Sequence, residues 1–159
     1  MFERYPRPSV RALFVARAAA LAAGAESIEV EHLLLGALAE WPDAGIRCDE
    51  VVRTLGLPVP SELPGPGSPQ IPFSDAVKRV LGGAAARADR LGQHRIRPEH
   101  LLLALHDDTQ RVPARILSQA GVTRAELLRS AAEGARLDDS SLQNTLQCES
   151  RLQLKVRTE

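Results

Sequence analysis

The chain has 159 residues, 44% hydrophobic and 25% charged, enough to bury about 70% of the surface its unfolded form exposes. Twenty basic and twenty acidic side chains cancel, and only 3% of residues are aromatic, which excludes a nucleic-acid protein built on a general positive field or a base-stacking platform. Cys48 and Cys148 are too few for a disulfide scaffold, no apolar run reaches the roughly 18 residues of a membrane span, and the first eight residues lack a signal peptide's apolar stretch, so a soluble cytoplasmic protein with reduced cysteines is expected.

In chain order the apolar pattern is helical almost throughout. Pro8 suits a first helical position, and Val10, Leu13, Phe14, Ala18 and Leu21 recur at helical spacing up to a stop at Gly24. A second helix is predicted over 30–40 and a third over 46–55, ended by Gly56. The segment 58–72 then carries prolines at 58, 60, 64, 66, 69 and 72. Each costs roughly 3 kcal/mol in a helix interior, so an extended, partly polyproline-like linker is expected there. From a Ser74 cap with Asp75 in the first turn, a new helix keeps Val77, Val80, Leu81, Ala84 and Ala88 on one face and stops at Gly92. Its Gly82-Gly83 pair weakens it by about 1 kcal/mol per glycine, so packing must hold it. Helices over 98–106 and 112–120 follow, the latter ended by Gly121. Thr123 and Glu126 form a capping box for a last helix reaching about Glu133, before Gly134.

The most informative pattern is a repetition. Ile28-Glu29-Val30-Glu31-His32-Leu33-Leu34-Leu35 returns 68 residues later as Ile96-Arg97-Pro98-Glu99-His100-Leu101-Leu102-Leu103. The same shift pairs Tyr5 with Phe73, Arg11 with Arg79, Leu13 with Leu81 and Gly24 with Gly92. This is a tandem duplication. The expected organisation is a double repeat over 1–136, with repeat one at 1–57, the linker at 58–72 and repeat two at 73–136, followed by a tail over 137–159.

The aromatic start, the Arg-x-Leu step, the glycine stop and the paired Glu-His-Leu-Leu-Leu resemble the Clp repeat, the N-terminal domain of the Hsp100 unfoldases ClpA and ClpC, over residues 1 to about 134. The resemblance implies an all-α fold of two pseudo-symmetric repeats of about four helices each. The linker stands where the first repeat's fourth helix belongs. It also implies a docking role, in which such domains present substrates and adaptors to attached ATPase rings. Nothing here matches G-x-x-x-x-G-K-[ST], so the chain alone is not expected to hydrolyse ATP and reads as a stand-alone N domain.

Glu31 and Glu99 are the leading candidate ligand residues, each in the first turn of a helix where exposed amides attract anions and the carboxylate can pair with a guanidinium. In ClpC-like members the similarity extends to phosphoarginine. Val30 and Pro98, however, stand where the family carries threonine, and the lost hydroxyls remove a phosphate partner and a cap. Weak or absent phosphoarginine binding is therefore expected. Read without a ligand, the two glutamates simply stabilise helix N-termini. His32 and His100 read as capping or core residues. A metal site from His100, His106 and Asp107 is disfavoured, because six residues do not return to one helix face.

Two function classes remain. One is a non-catalytic interaction module, a Clp-associated adaptor, competitor or decoy that uses Phe2, Phe73 and the inter-repeat surface. Its partners would be peptides, proteins such as a Clp unfoldase or its substrates, or the cyclic-peptide antibiotics that similar actinobacterial N domains bind. The other is a phosphoarginine-directed binding protein or regulatory enzyme. No cofactor, metal, nucleic-acid or membrane partner is expected. Finally, the missing helix should leave an apolar patch on repeat one, which Leu142, Leu146, Leu152, Leu154 and Val156 of the tail are suited to cover.

Overall fold

The computed structural model describes residues 2–136 apart from 45, 59, 61 and 66, and only the backbone of 46–48. Cys148, the tail over 137–159 and its covering role all lie outside the described residues.

Seven helices make up the described chain: α1 Arg7–Ala22, α2 Val30–Ala39, α3 Ile46–Leu55, α4 Asp75–Arg90, α5 Pro98–Asp107, α6 Val112–Gln119 and α7 at residues 124–136. The fold is all-α, with one isolated parallel bridge, Ile28 to Phe73, among the described residues. Gly24, Gly56, Gly92 and Gly121 close α1, α3, α4 and α6 at φ values of 68°, 64°, 68° and 78°. Only glycine adopts that region without a Cβ penalty, which is why the four stops were legible. The described residues of 58–72 form no helix.

Local capping follows the sequence closely. Ser74 Oγ accepts from the Val77 amide at 3.2 Å and Thr123 Oγ1 from the Glu126 amide at 3.2 Å. The start of α1 lies one residue earlier than Pro8, after an N-cap at Pro6. α7 runs on through Gly134 instead of ending before it. The glycine there serves packing, because a Cβ at 134 would collide with the Arg97 guanidinium.

α4 buries Val77, Val80, Leu81, Ala84 and Ala88, the face its pattern predicts. α1 differs. Phe14 is 43% exposed, Val10 and Leu21 are half-buried, and the buried stripe is Ser9, Ala12, Leu13, Ala16, Ala18, Ala19 and Ala20. Close approach is the reason. A Cβ on Gly36 of α2 would collide with the Ala12 carbonyl oxygen, so the two helices pack backbone against side-chain-free backbone, and larger residues on that face of α1 would hold them apart.

The two repeats share one core. α2 packs on α5, and Leu33, Leu34, Leu38, Leu101, Leu102 and Leu105 join one buried cluster with Val51, Leu117 and Leu127. At the edges the segments leading into the two repeats bond the start of the other repeat's octet. The Ile28 amide donates to Pro72 O at 2.8 Å, and the register-related Ile96 amide donates to Arg4 O at 2.9 Å. Ser9 Oγ adds a buried bond to Ile96 O at 2.6 Å. The linker lies along α1, where Arg17 donates to Ser68 O at 3.0 Å and Pro69 O at 2.7 Å, and Ile71 packs on Ala16, Ala20 and Ile28.

Candidate functional site

The duplicated octets start α2 and α5, and their histidines cap those starts. His32 Nδ1 accepts from the Glu29 amide at 2.9 Å, and His100 Nδ1 accepts from the Arg97 amide at 2.8 Å. A histidine at the third helical position here does the work of the glutamate or glutamine in a capping box. With Nδ1 accepting, the His100 proton sits on Nε2 and donates to Gln93 Oε1 at 2.7 Å. Burial pushes His100 down to about 4, and the Arg97 and Arg4 charges act the same way. Burial also lowers His32, against the opposing charges of Glu31 and Glu29. His106 Nε2 faces Val122 O at 3.2 Å and Asp107 is held by Arg87 and Arg124, so these groups do not converge with His100. Among the described residues no group of three or more potential ligands is arranged to hold a metal ion.

The two candidate glutamates occupy matching positions in different surroundings. Glu99 is 1% exposed, with Oε1 accepting from Ser130 Oγ at 3.1 Å and Oε2 facing Arg97 Nε at 3.3 Å. Ser130 in turn accepts from Trp41 Nε1 at 2.9 Å. A buried chain therefore runs from Trp41 in repeat one, through Ser130 on α7, to the start of α5. Burial raises the Glu99 carboxyl, while its backbone hydrogen bond, Arg97 and Ser130 hold it down. Glu31 is half-buried and reaches solvent, and no described side chain bonds its carboxylate. The difference is α7. It lays Ser130 over Glu99, and the described residues of the proline segment provide no such helix in repeat one. Val30 and Pro98 are both buried and present no hydroxyl.

Phe2 and Phe73 do come together. The Phe2 ring lies edge-on to Tyr5 at 5.1 Å and to Phe73 at 6.4 Å. Phe73 is half-buried and bridges Ile28, two residues before the helix start that leads to Glu31. Phe2 is 37% exposed. The result is an aromatic seam where the leading segments of both repeats meet, with the half-buried Glu31 three residues along the chain from the bridged Ile28. Such a surface offers an apolar anchor and an acidic partner for a basic side chain.

Sequence reasoning did not single out Ser130, Trp41 or Arg97. The signal for Ser130 was present. On α7 the buried positions Leu127, Ser130, Ala131 and Gly134 follow helical spacing, and Ser130 is the one side chain of the four with a hydroxyl. A polar residue inside an apolar stripe announces a buried partner.

Comparison with known proteins places this geometry. Residues 72–155 match the family described as the Clp repeat (R) N-terminal domain. The chain is similar to the chloroplastic chaperone protein ClpC of Pisum sativum, 30% identical over 149 residues, 85% of this chain and 16% of that protein. It is likewise 30% identical over 165 residues to the ATP-dependent Clp protease ATP-binding subunit ClpA homolog of Pyropia yezoensis, covering 95% of this chain and 20% of that protein. The chain thus spans a fifth or less of the length of these relatives. In fold it resembles the N-terminal domain of ClpD from Arabidopsis thaliana, with a TM-score of 0.59 at 23% identity over 87% of this chain and 97% of that one. The Hsp104 N-terminal domain from Candida albicans gives 0.57 at 20% identity over 82% and 91%.

Proposed function

This chain belongs to the Clp repeat N-terminal domain family, and on that premise we propose that it is a non-catalytic docking module, related to the domain with which Clp unfoldases take up substrates and adaptors. In this reading the double repeat over 1–136 is the working unit, with 58–72 as its linker. The observation that carries the proposal is the seam of Phe2, Tyr5 and Phe73, joined through the Phe73–Ile28 bridge to the helix start that bears Glu31. A partly exposed aromatic cluster stabilised by its own edge-to-face contacts is a surface that a partner's apolar side chain completes, and Glu31 supplies charge selectivity at its rim. Glu99 has no direct part in docking. It acts as a buried strut.

In this reading such a unit serves as an adaptor, competitor or decoy for a Clp unfoldase in the cytoplasm, and cyclic peptides of antibiotic type are further ligands of the same seam. Capture of an overlapping peptide array by the purified chain tests the reading. Spots rich in aromatic and basic residues should bind, Phe2→Ser should weaken all of them, and Glu31→Gln should weaken chiefly the basic ones. Uniform background binding that neither substitution alters would overturn it.

A further inference from the structure

In repeat one the Arg11 guanidinium meets Glu40, Nε to Oε1 at 3.2 Å. The 68-residue register puts Arg79 of α4 and Asp108 in the corresponding places. The ion pair is not repeated. Asp108 is taken by Arg111 at 3.0 Å, and the neighbouring Asp107 by Arg87 at 2.9 Å and Arg124 at 3.2 Å. Arg79 therefore stands exposed with no carboxylate partner among the described residues. Three arginines take up the two aspartates on this face, and Arg79 is a fourth beside them.

Arg79 also lines a groove. One lobe, about 440 Å³, is bounded by Ala76, Gln110 and Arg111, and a second of about 190 Å³ lies over Val80 and Ala104; Arg79 and Asp108 border both. The larger lobe falls within the roughly 300–1,000 Å³ of ligand clefts, far more than one small anion fills, and small alanines at its edge leave room for main chain. A guanidinium fork without a partner, set among compensated ion pairs, is suited to a carboxylate. We propose that the α4–α5–α6 groove docks an acidic stretch of a partner polypeptide, with Arg79 as the recognising cation. This surface shares no lining residue with the aromatic seam, and its assignment does not rest on that one.

Fluorescence anisotropy with a labelled oligo-glutamate peptide, an oligo-lysine peptide of equal length and inorganic phosphate as competitor tests the proposal on the full chain. Oligo-glutamate should bind, more weakly as salt is added, and oligo-lysine should not. Arg79→Glu should lower the affinity by about tenfold or more, Arg79→Lys should retain most of it, and Arg53→Glu, an exposed arginine on α3, should leave it unchanged. Three results would overturn the proposal. These are no binding of oligo-glutamate, equal weakening by Arg53→Glu, which would reduce the effect to net charge, and displacement by phosphate as effective as by unlabelled peptide, which would make the groove a small-anion site.

Discussion

Ser130 of α7 donates its hydroxyl to Glu99 Oε1 at 3.1 Å while accepting from Trp41 Nε1 at 2.9 Å, so one oxygen fastens the last helix of repeat two to both repeats. All three side chains are buried, and removing the hydroxyl takes a partner from the indole N–H and another from the Glu99 carboxylate at once. Ser130→Ala is expected to cost about 1–3 kcal/mol in urea unfolding. Combining it with Trp41→Phe should be clearly less than additive, since both changes break the same bond. Additive losses would show that the chain of bonds is not a unit.

Helix approach gives a contrasting pair of glycines. Gly36→Ala forces a Cβ into the Ala12 carbonyl and should cost about 3 kcal/mol or more, because backbone, not a flexible side chain, must move. Gly82→Ala faces open space in the middle of α4 and should stabilise by roughly 0.5–1 kcal/mol. Thermal melting of the two variants should therefore move in opposite directions.

Acid should loosen the fold through His100. Its folded value of about 4 lies below the unfolded 6.5, so between those values the unfolded chain takes up a proton that the native site refuses. The neutral-ring contribution is intact above pH 6.5 and is lost as pH falls toward 4, by on the order of 3 kcal/mol. The lowered His32 acts in the same direction, and the raised Glu99 acts in the opposite one, favouring the native state in acid. His100→Gln keeps a capping acceptor without titrating, so its stability should fall less between pH 7 and pH 4.5 than that of the wild type, as read from urea midpoints. Parallel profiles would contradict the assignment.

Phosphoarginine is expected to bind weakly or not at all. Val30 and Pro98 are buried and carry no hydroxyl, and Glu99 is already engaged by Ser130 and Arg97. Titration calorimetry should show no saturable heat. Tight binding lost in Glu31→Ala would contradict this.

Much of the architecture was legible because it rests on local chemistry. Positive-φ glycines, the Ser74 and Thr123 caps, the helix-breaking prolines and the face of α4 are each set by a few neighbouring residues. On α1 the helix was legible but its buried stripe was not, because hydrophobic size marks the core only where helices stand a full side chain apart. At the Gly36–Ala12 crossing they do not, so alanines are buried and Phe14 is left outside. The site shows the same limit. Glu31 and Glu99 are indistinguishable in the octets, and what separates them is Ser130, which arrives from another helix. Trp41 bonds Ser130 across 89 positions, a link that no periodicity encodes. The groove beside Arg79 likewise emerges only when the register-related ion pair of repeat one is compared with its missing copy.

The most direct test of the docking account is a residue-resolved map of amide chemical-shift changes as an unfolded polypeptide is titrated into the isotope-labelled chain. The account predicts changes concentrated at Phe2, Tyr5, Phe73 and the segment from Ile28 to Glu31, with His100 and the buried Glu99 little affected. A saturable interaction whose changes avoid the aromatic seam, or no interaction at all, would contradict it.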